Sequence, residues 1–284
     1  LIKKLNIVNI ELSQNYIAFY DKLEKCNYFL NSIINTIDRP TTDRHVTFFL
    51  DNPINDGGQW DMFLNIIKKY GIVPKSAMPE TYNSSNTLEI NKILKRILRM
   101  YAYELREDYK NNKSLEEIEN KKLEMIEKIY NILCTAFGKP PKEFNFEYTN
   151  KKDEFFRENN ITPIEFYNKY VKDLNLEDYI SIINAPNADR PFFKKYTVNY
   201  VGNVAEGNKI TYLNLPIERL KEMAIAQLTD SVPVFFGSDV GQESSRDLGI
   251  LSRSLYNINE LINIEDSMNK ATKLEYRESA MTHA

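Results

Sequence analysis

Two consecutive glycines, Gly57 and Gly58, stand directly before a helix in the stretch Asp56-Gly57-Gly58-Gln59-Trp60. Two readings follow. The pair can serve a tight loop that needs positive φ. Alternatively, an edge without Cβ atoms lets another extended chain approach and form main-chain hydrogen bonds, as peptide-binding clefts require. The second feature is His283, preceded by Ser279-Ala280-Met281-Thr282. Imidazole is the commonest general base near neutral pH, but a lone histidine acts only with a partner. Neither cysteine is a convincing one. Cys26 lies on the apolar stripe of a helix and Cys134 sits in the same way, so both read as small core residues. Neither opens a helix after a loop, where the dipole would lower a thiol's pKa. His45, beside Arg44 at the head of a short apolar strand over 45–50, reads as structural. The third feature is VPVFFGSDVG over 232–241, read as a buried strand ending in a polar, glycine-bearing turn. Ser238 and Asp239 in that turn are not diagnostic, and no G-x-S-x-G elbow marks a serine hydrolase.

The elements that must hold these residues can be read from periodicity. Apolar residues from Tyr16 to Ile37 follow the three-and-four spacing of one long amphipathic helix ended before Pro40. The turn-rich stretch 51–58 leads into a helix over 59–70, stopped by Gly71. Two long charged helices over 91–109 and 115–137 make a helical hairpin, with Gly138 just past the second. Residues 144–148 alternate like a strand, and Thr162-Pro163 starts a short helix reaching about Tyr170. From about Tyr179 strands dominate. Segments 196–201 and 209–215 flank a Glu206-Gly207-Asn208 turn as a hairpin, and Pro216 opens a helix to about Leu228. The order gives an α+β fold rather than alternating βαβ, and no Rossmann or P-loop fingerprint is present.

The 284 residues are enough for a sizeable core, and 42% hydrophobic with 27% charged residues is an ordinary globular composition. Against 40 Asp and Glu, 37 Lys and Arg leave a net charge of −3, so no bulk field argues for nucleic acid or an anionic membrane. Two cysteines cannot build a disulfide framework, and with two histidines they leave no recognisable zinc site, so neither cofactor nor metal is expected. A cytoplasmic protein without membrane attachment is the default expectation. Residue 1 is Leu and residues 278–284 carry no helix stop, so both ends read as cuts through a longer polypeptide.

Taken together, five segments resemble the bleomycin hydrolase and bacterial aminopeptidase C family of papain-like cysteine peptidases. They are LSQNYIAFYDKLEKCNYFL (12–30), NDGGQWDMFLNIIKKYGIVPKSAMPE (55–80), PPKEFNFEY (140–148), VPVFFGSDVG (232–241) and ESAMTHA (278–284). The resemblance implies a papain-like two-lobed fold with a large helical insertion. Its parts would be a helical left lobe over 1–85, an insertion and connector over 86–178 used in oligomerisation, and a strand-rich right lobe over 179–284. It also implies that His283 is the catalytic imidazole, paired with a nucleophilic cysteine and protonating the leaving amine. Gly57 and Gly58 would be the backbone edge that holds a peptide substrate near its second residue. The implied activity is a thiol protease that removes N-terminal residues from peptides with a free N-terminus, as a homohexamer.

Departures from the family pattern set limits on this expectation. Nothing in 1–11 supplies the family's Gln…Cys-Trp segment, and the orienting Asn and C-terminal arm would follow Ala284. Ser238 stands where relatives often have Cys. The chain alone is therefore expected to be inactive, with the activity belonging to the parent polypeptide. A competing class is a non-catalytic scaffold or a nucleic-acid-binding oligomer of the same fold, since some family members are linked to nucleic acid. Lys92, Lys95, Arg96 and Arg99 form a cationic run, yet over 92–128 ten basic residues face eight acidic ones, a net of only about +2.

Overall fold

Ser13 starts the element around which the first half of the chain is built. Its hydroxyl accepts from Tyr16 N at 3.0 Å and donates to Met78 O at 2.5 Å, so one side chain caps a helix and ties down a loop. Helix α2 (Gln14–Ile34) follows the four-residue α1 (Ile2–Leu5). It buries Tyr16, Phe19, Leu23, Cys26, Leu30 and Ile33 on the predicted stripe, and also Lys22, Glu24 and Lys25. A helix buried all round needs neighbours on every side. These are α3 (Arg44–Asp51), α4 (Trp60–Tyr70), α5 (Tyr82–Ser85), α6 (Leu88–Lys110) and α7 (Leu115–Phe137). At its far end, buried Arg106 of α6 donates to the carbonyls of Thr36 and Arg39, satisfying acceptors just past the last turn.

The computed structural model describes residues 1–239, 243–252, 255, 260 and 268–279. Two compact units result: Leu1–Asp56 with Trp60–Tyr179 and Val198–Ile210, and Gly57–Gln59 with Ile180–Thr197 and Thr211–Ala284.

In the first unit, α6 and α7 form the predicted hairpin. The capping box of Ser114 and Glu117 opens α7, and Gly138 follows its last residue. Strand β1 (Phe144–Thr149) pairs antiparallel with β2 (Phe155–Ile161), which the period-two reading did not identify because β2 is mostly exposed and polar. Helix α8 (Pro163–Tyr170) begins with the Thr162–Glu165 capping box and Pro163 in its first turn, and packs on α4. Gly71 ends α4 at φ +76°, and a Cβ there would lie 2.2 Å from the carbonyl carbon and oxygen of Pro163. That position requires glycine on both conformational and steric grounds.

One predicted strand is a helix. Residues 45–50 belong to α3, because Asp43 accepts from His45 N at 2.9 Å and Val46 N at 3.4 Å and so nucleates the first turn. Only Val46 and Phe49 of α3 are buried, a three-residue spacing that a strand would place on opposite faces. The segment Val198–Ile210 also departs from a tight hairpin turn. Buried Asn203 donates to Met62 O at 2.9 Å and to Asp21 Oδ1 at 3.0 Å. Asn65 accepts from Asn208 N at 2.8 Å and donates to Asn208 O at 2.9 Å. Side chains of α2 and α4 thus hold this segment as a strap.

The second unit is organised by a three-stranded sheet in the order β3-β5-β4. Strand β5 (Thr211–Asn214) pairs parallel with β3 (Ser181–Ile183) and antiparallel with β4 (Lys195–Thr197), so the predicted antiparallel pairing forms. Buried Asn214 donates to Ala185 O and Arg190 O at 2.9 and 2.8 Å and accepts from Ala185 N, replacing missing ladder bonds. Helix α9 (Ile217–Thr229) follows Pro216, and β6 (Ser244–Ser245) pairs with β7 (Ile250–Leu251). The strand expected over 232–236 does not form. Val232 N turns back to Gln227 O and Gln227 Nε2 donates to Pro233 O, and the rings of Phe235 and Phe236 are exposed. An apolar run becomes a buried strand only beside a partner, and among the described residues none pairs with it.

Replacing Gly71 by Ala should lower stability by at least about 2 kcal/mol, because the Cβ meets backbone that cannot rotate away. Denaturant unfolding followed by fluorescence of Trp60, the single tryptophan, would read this directly.

Candidate functional site

The loop before Gly57 is fixed from below. Pro53 and Ile54 are buried, and Asn55 O accepts from Lys25 Nζ at 3.2 Å. Asp56 then receives three donors. Lys22 Nζ reaches Oδ1 at 2.5 Å, while Thr87 Oγ1 and Asn91 Nδ2 reach Oδ2 at 2.8 and 2.7 Å. Lys22 also donates to Asn91 Oδ1 at 2.7 Å, so α2, the loop and the start of α6 share one network. Lys22 is only 3% exposed and would carry an unpaired buried charge without Asp56. Partial burial pushes the Asp56 carboxyl up, but the bond and charge of Lys22 with those of Thr87 and Asn91 outweigh it and hold the group below the usual carboxylate range.

Gly57 and Gly58 are both exposed. Gly58 does not adopt the left-handed region, and a Cβ there would meet nothing within 4 Å. The tight-turn reading therefore fails for Gly58: neither its backbone conformation nor its neighbours require glycine. On the other side, Trp60 donates through Nε1 to Leu176 O at 3.3 Å and packs against Phe63 and Tyr179.

The other sequence candidates fall as follows. His283, with Thr282 and Ala284, lies outside the described residues, as do Val240 and Gly241 of the third motif. The described parts of those two motifs do meet: Ser279 Oγ donates to Asp239 Oδ2 at 2.9 Å. Cys26 is fully buried, and burial pushes its thiol up to about 12, which makes it inert at neutral pH. Cys134 is half-buried in the last turns of α7. His45 is structural, its Nδ1 3.1 Å from Arg39 Nη1 and its ring tilted against Tyr200. In the cationic run of α6, Lys92 pairs with Glu89, and Arg99 donates to Leu50 O and Asp51 O at the end of α3.

A cleft of about 370 Å³ in the first unit is lined by Tyr16, Tyr20, Tyr70, Tyr130, Lys69 and Lys139 among others, with no histidine, cysteine or carboxylate. Burial pushes the Tyr20 hydroxyl up to about 12, so the cleft offers no ionised base at neutral pH. Among the described residues no group of three or more His, Cys, Asp or Glu side chains is placed to hold a metal ion, and no helix is long and apolar enough to cross a membrane.

Comparison with known proteins gives the class of this arrangement. A crystal structure of PepW from Lactobacillus rhamnosis superposes with a TM-score of 0.93 at 46% identity, covering 99% of this chain and 63% of that one. The fold is therefore the papain-like α+β fold. Aminopeptidase C of Listeria innocua is 46% identical over 280 residues, that of Streptococcus thermophilus 45% over 284, and human bleomycin hydrolase 40% over 287. These alignments cover 99 to 100% of this chain, which spans 63 to 64% of the length of those curated relatives. Residues 1–284 match the Peptidase C1-like family, and the chain belongs to it.

The Asp56 network makes stability depend on pH. A carboxyl held below its unfolded value of about 3.9 adds stability that is fully present above that value and is lost as pH falls through the lower folded value. Chemical unfolding of wild type and Asp56→Asn should differ by a constant amount above about pH 5, and the difference should shrink as pH falls below the unfolded value of about 3.9.

Proposed function

We propose that this chain is the main part of a cysteine aminopeptidase that removes N-terminal residues from peptides. The observation that carries the reading is the exposed, sterically open backbone at Gly58, adjoining a firmly anchored Asp56, in a member of the Peptidase C1-like family whose relatives include proteins named Aminopeptidase C. An extended peptide laid on Gly57 and Gly58 can exchange main-chain hydrogen bonds with them, and a side chain at either place would hold it off.

In the proposed reaction a cysteine thiolate attacks the carbonyl carbon of the first residue. The oxyanion is held by a glutamine side chain and backbone N–H groups, and the C–N bond breaks as His283 passes its proton to the leaving amine. Water then attacks the thioester with His283 as base, releasing the amino acid and restoring the thiol. Buried Cys26 and helical Cys134 do not suit the nucleophile's role, so the reading takes the cysteine and the orienting asparagine from outside these 284 residues. These residues alone would then be inactive. The lobe division over 1–85, 86–178 and 179–284 belongs to the same proposal, as does a cytoplasmic location. A homohexamer is supported by exposed Ile93, Met100 and Tyr103, which share one face of α6. A nucleic-acid role is disfavoured, because Lys92 and Arg99 of the cationic run are engaged within the chain.

In the full-length protein, aminoacyl fluorogenic substrates should be cleaved, their N-acetylated analogues should not, and alkylation of the active thiol should abolish turnover. His283→Gln should lower kcat by at least about 10⁴-fold with the fold intact. Cleavage that survives both alkylation and His283→Gln would refute the assignment. Gly58→Ala should leave the unfolding midpoint unchanged, since the space is open, yet raise KM about tenfold with kcat within about twofold.

A further inference from the structure

Four tyrosines from three helices meet in the cleft of about 370 Å³ in the first unit: Tyr16 and Tyr20 of α2, Tyr70 of α4 and Tyr130 of α7. Two of their hydroxyls are already spent inside the chain. Tyr16 Oη donates to Tyr70 O at 2.7 Å, and Tyr70 Oη donates to Glu24. The rings of Tyr20 and Tyr70 stack with centroids 3.8 Å apart and planes 15° from parallel, which stiffens one wall. Pro140 and Pro141 on the rim add apolar surface that carries no N–H donor. Small-molecule sites span about 300 to 1,000 Å³, so this volume suits one ring or two fused rings with a short arm.

Charge selects the arm. No carboxylate lines the cleft, whereas Lys69, Lys139 and Lys142 do. Lys69 is neutralised by Glu24 and Glu206 at 2.7 and 2.5 Å. Lys139 and Lys142 are exposed, and among the described residues neither has an ion-pair or hydrogen-bond partner. The two prolines between them hold φ at about −65° and force the residue before each to be extended. In such a chain residues three apart share one side, so both ammonium groups serve the same rim. We propose that this cleft binds an aromatic monocarboxylate, its ring among the tyrosines and its carboxylate on Lys139 and Lys142. A free amino acid suits the cleft poorly, because its ammonium meets these lysines and finds no carboxylate. The ligand thus differs in chemistry from peptides with a free N-terminus.

The test titrates the full-length protein calorimetrically with indole-3-propionate, with indole-3-propionamide, which lacks the charge, and with tryptophan, which adds an ammonium. Indole-3-propionate should bind with a Kd on the order of 1 mM or tighter, and the other two at least about fivefold more weakly. In the double variant Lys139→Gln with Lys142→Gln, the acid should lose about fivefold or more and the amide should be unchanged, with the unfolding midpoint kept because both positions are exposed. Tyr130→Leu should weaken acid and amide alike, about threefold or more. Should Tyr130→Leu fail to fold, the double variant still reports. Equal affinity of wild type for acid and amide, or for acid and tryptophan, would overturn the assigned class. Binding of the acid that neither variant weakens would overturn the site, and no binding at about 10 mM would overturn both.

Discussion

Three ionisable side chains are buried on one helix, and each must find a counter-charge, two of them from other parts of the chain. On α2, Lys22 pairs with Asp56, and Lys25 pairs with Asp21 and reaches Asn55 O. Glu24 accepts from Tyr70 Oη and pairs with Lys69 at 2.7 Å. Moving any of these charges into an apolar interior unpaired costs several kcal/mol, more than an ordinary domain can easily spare. The partners' positions are thereby specified: the loop over 53–56 must lie against the middle of α2, and the end of α4 must lie beside Glu24. Apolar packing alone, which tolerates exchange among residues of similar volume, would not fix these registers so narrowly.

The same constraint extends to segments without a long helix. Lys69 bridges Glu24 to Glu206 at 2.7 and 2.5 Å, which draws the strap Val198–Ile210 onto the end of α4. Asn65 and Asn203 then satisfy strap backbone and α4 backbone with bonds of 2.8 to 2.9 Å. A strap without regular structure is stable only because its polar groups are answered individually by side chains.

Helices with continuous apolar faces were legible in the sequence. The limits of α7 and of α8 follow from Ser114, Gly138 and Thr162-Pro163, where capping chemistry is local. What failed were short apolar runs. The segment 45–50 is apolar and β-branched, yet the decisive residue is Asp43, an N-cap just outside it. The run 232–236 has a strand's composition, but strand formation depends on a neighbour that composition cannot report. At the candidate site, the sequence singled out Gly57 and Gly58 but was silent on Lys22, Thr87 and Asn91. Lysine on a helix reads as a solvated position, and its burial is visible only once Asp56, 34 residues away, is placed against it. The signal available beforehand was weak: Lys22, Glu24 and Lys25 sit beside Asp21 among the apolar and aromatic positions Phe19, Tyr20, Leu23 and Cys26.

The distance between anchor and edge has an energetic consequence. Fixing the backbone of one residue costs about 1 to 2 kcal/mol, and glycine stands at the high end of that range. Two unrestrained glycines would therefore take about 2 to 4 kcal/mol from the binding of any peptide that ordered them, a factor of about 30 or more in affinity. Main-chain hydrogen bonds contribute about 1 kcal/mol each, so two of them would be cancelled by that cost. A di-glycine edge is thus useful only where its freedom has already been removed on folding. In the first unit, the Asp56 carboxylate is held by Lys22, Thr87 and Asn91, and the Trp60 indole donates to Leu176 O.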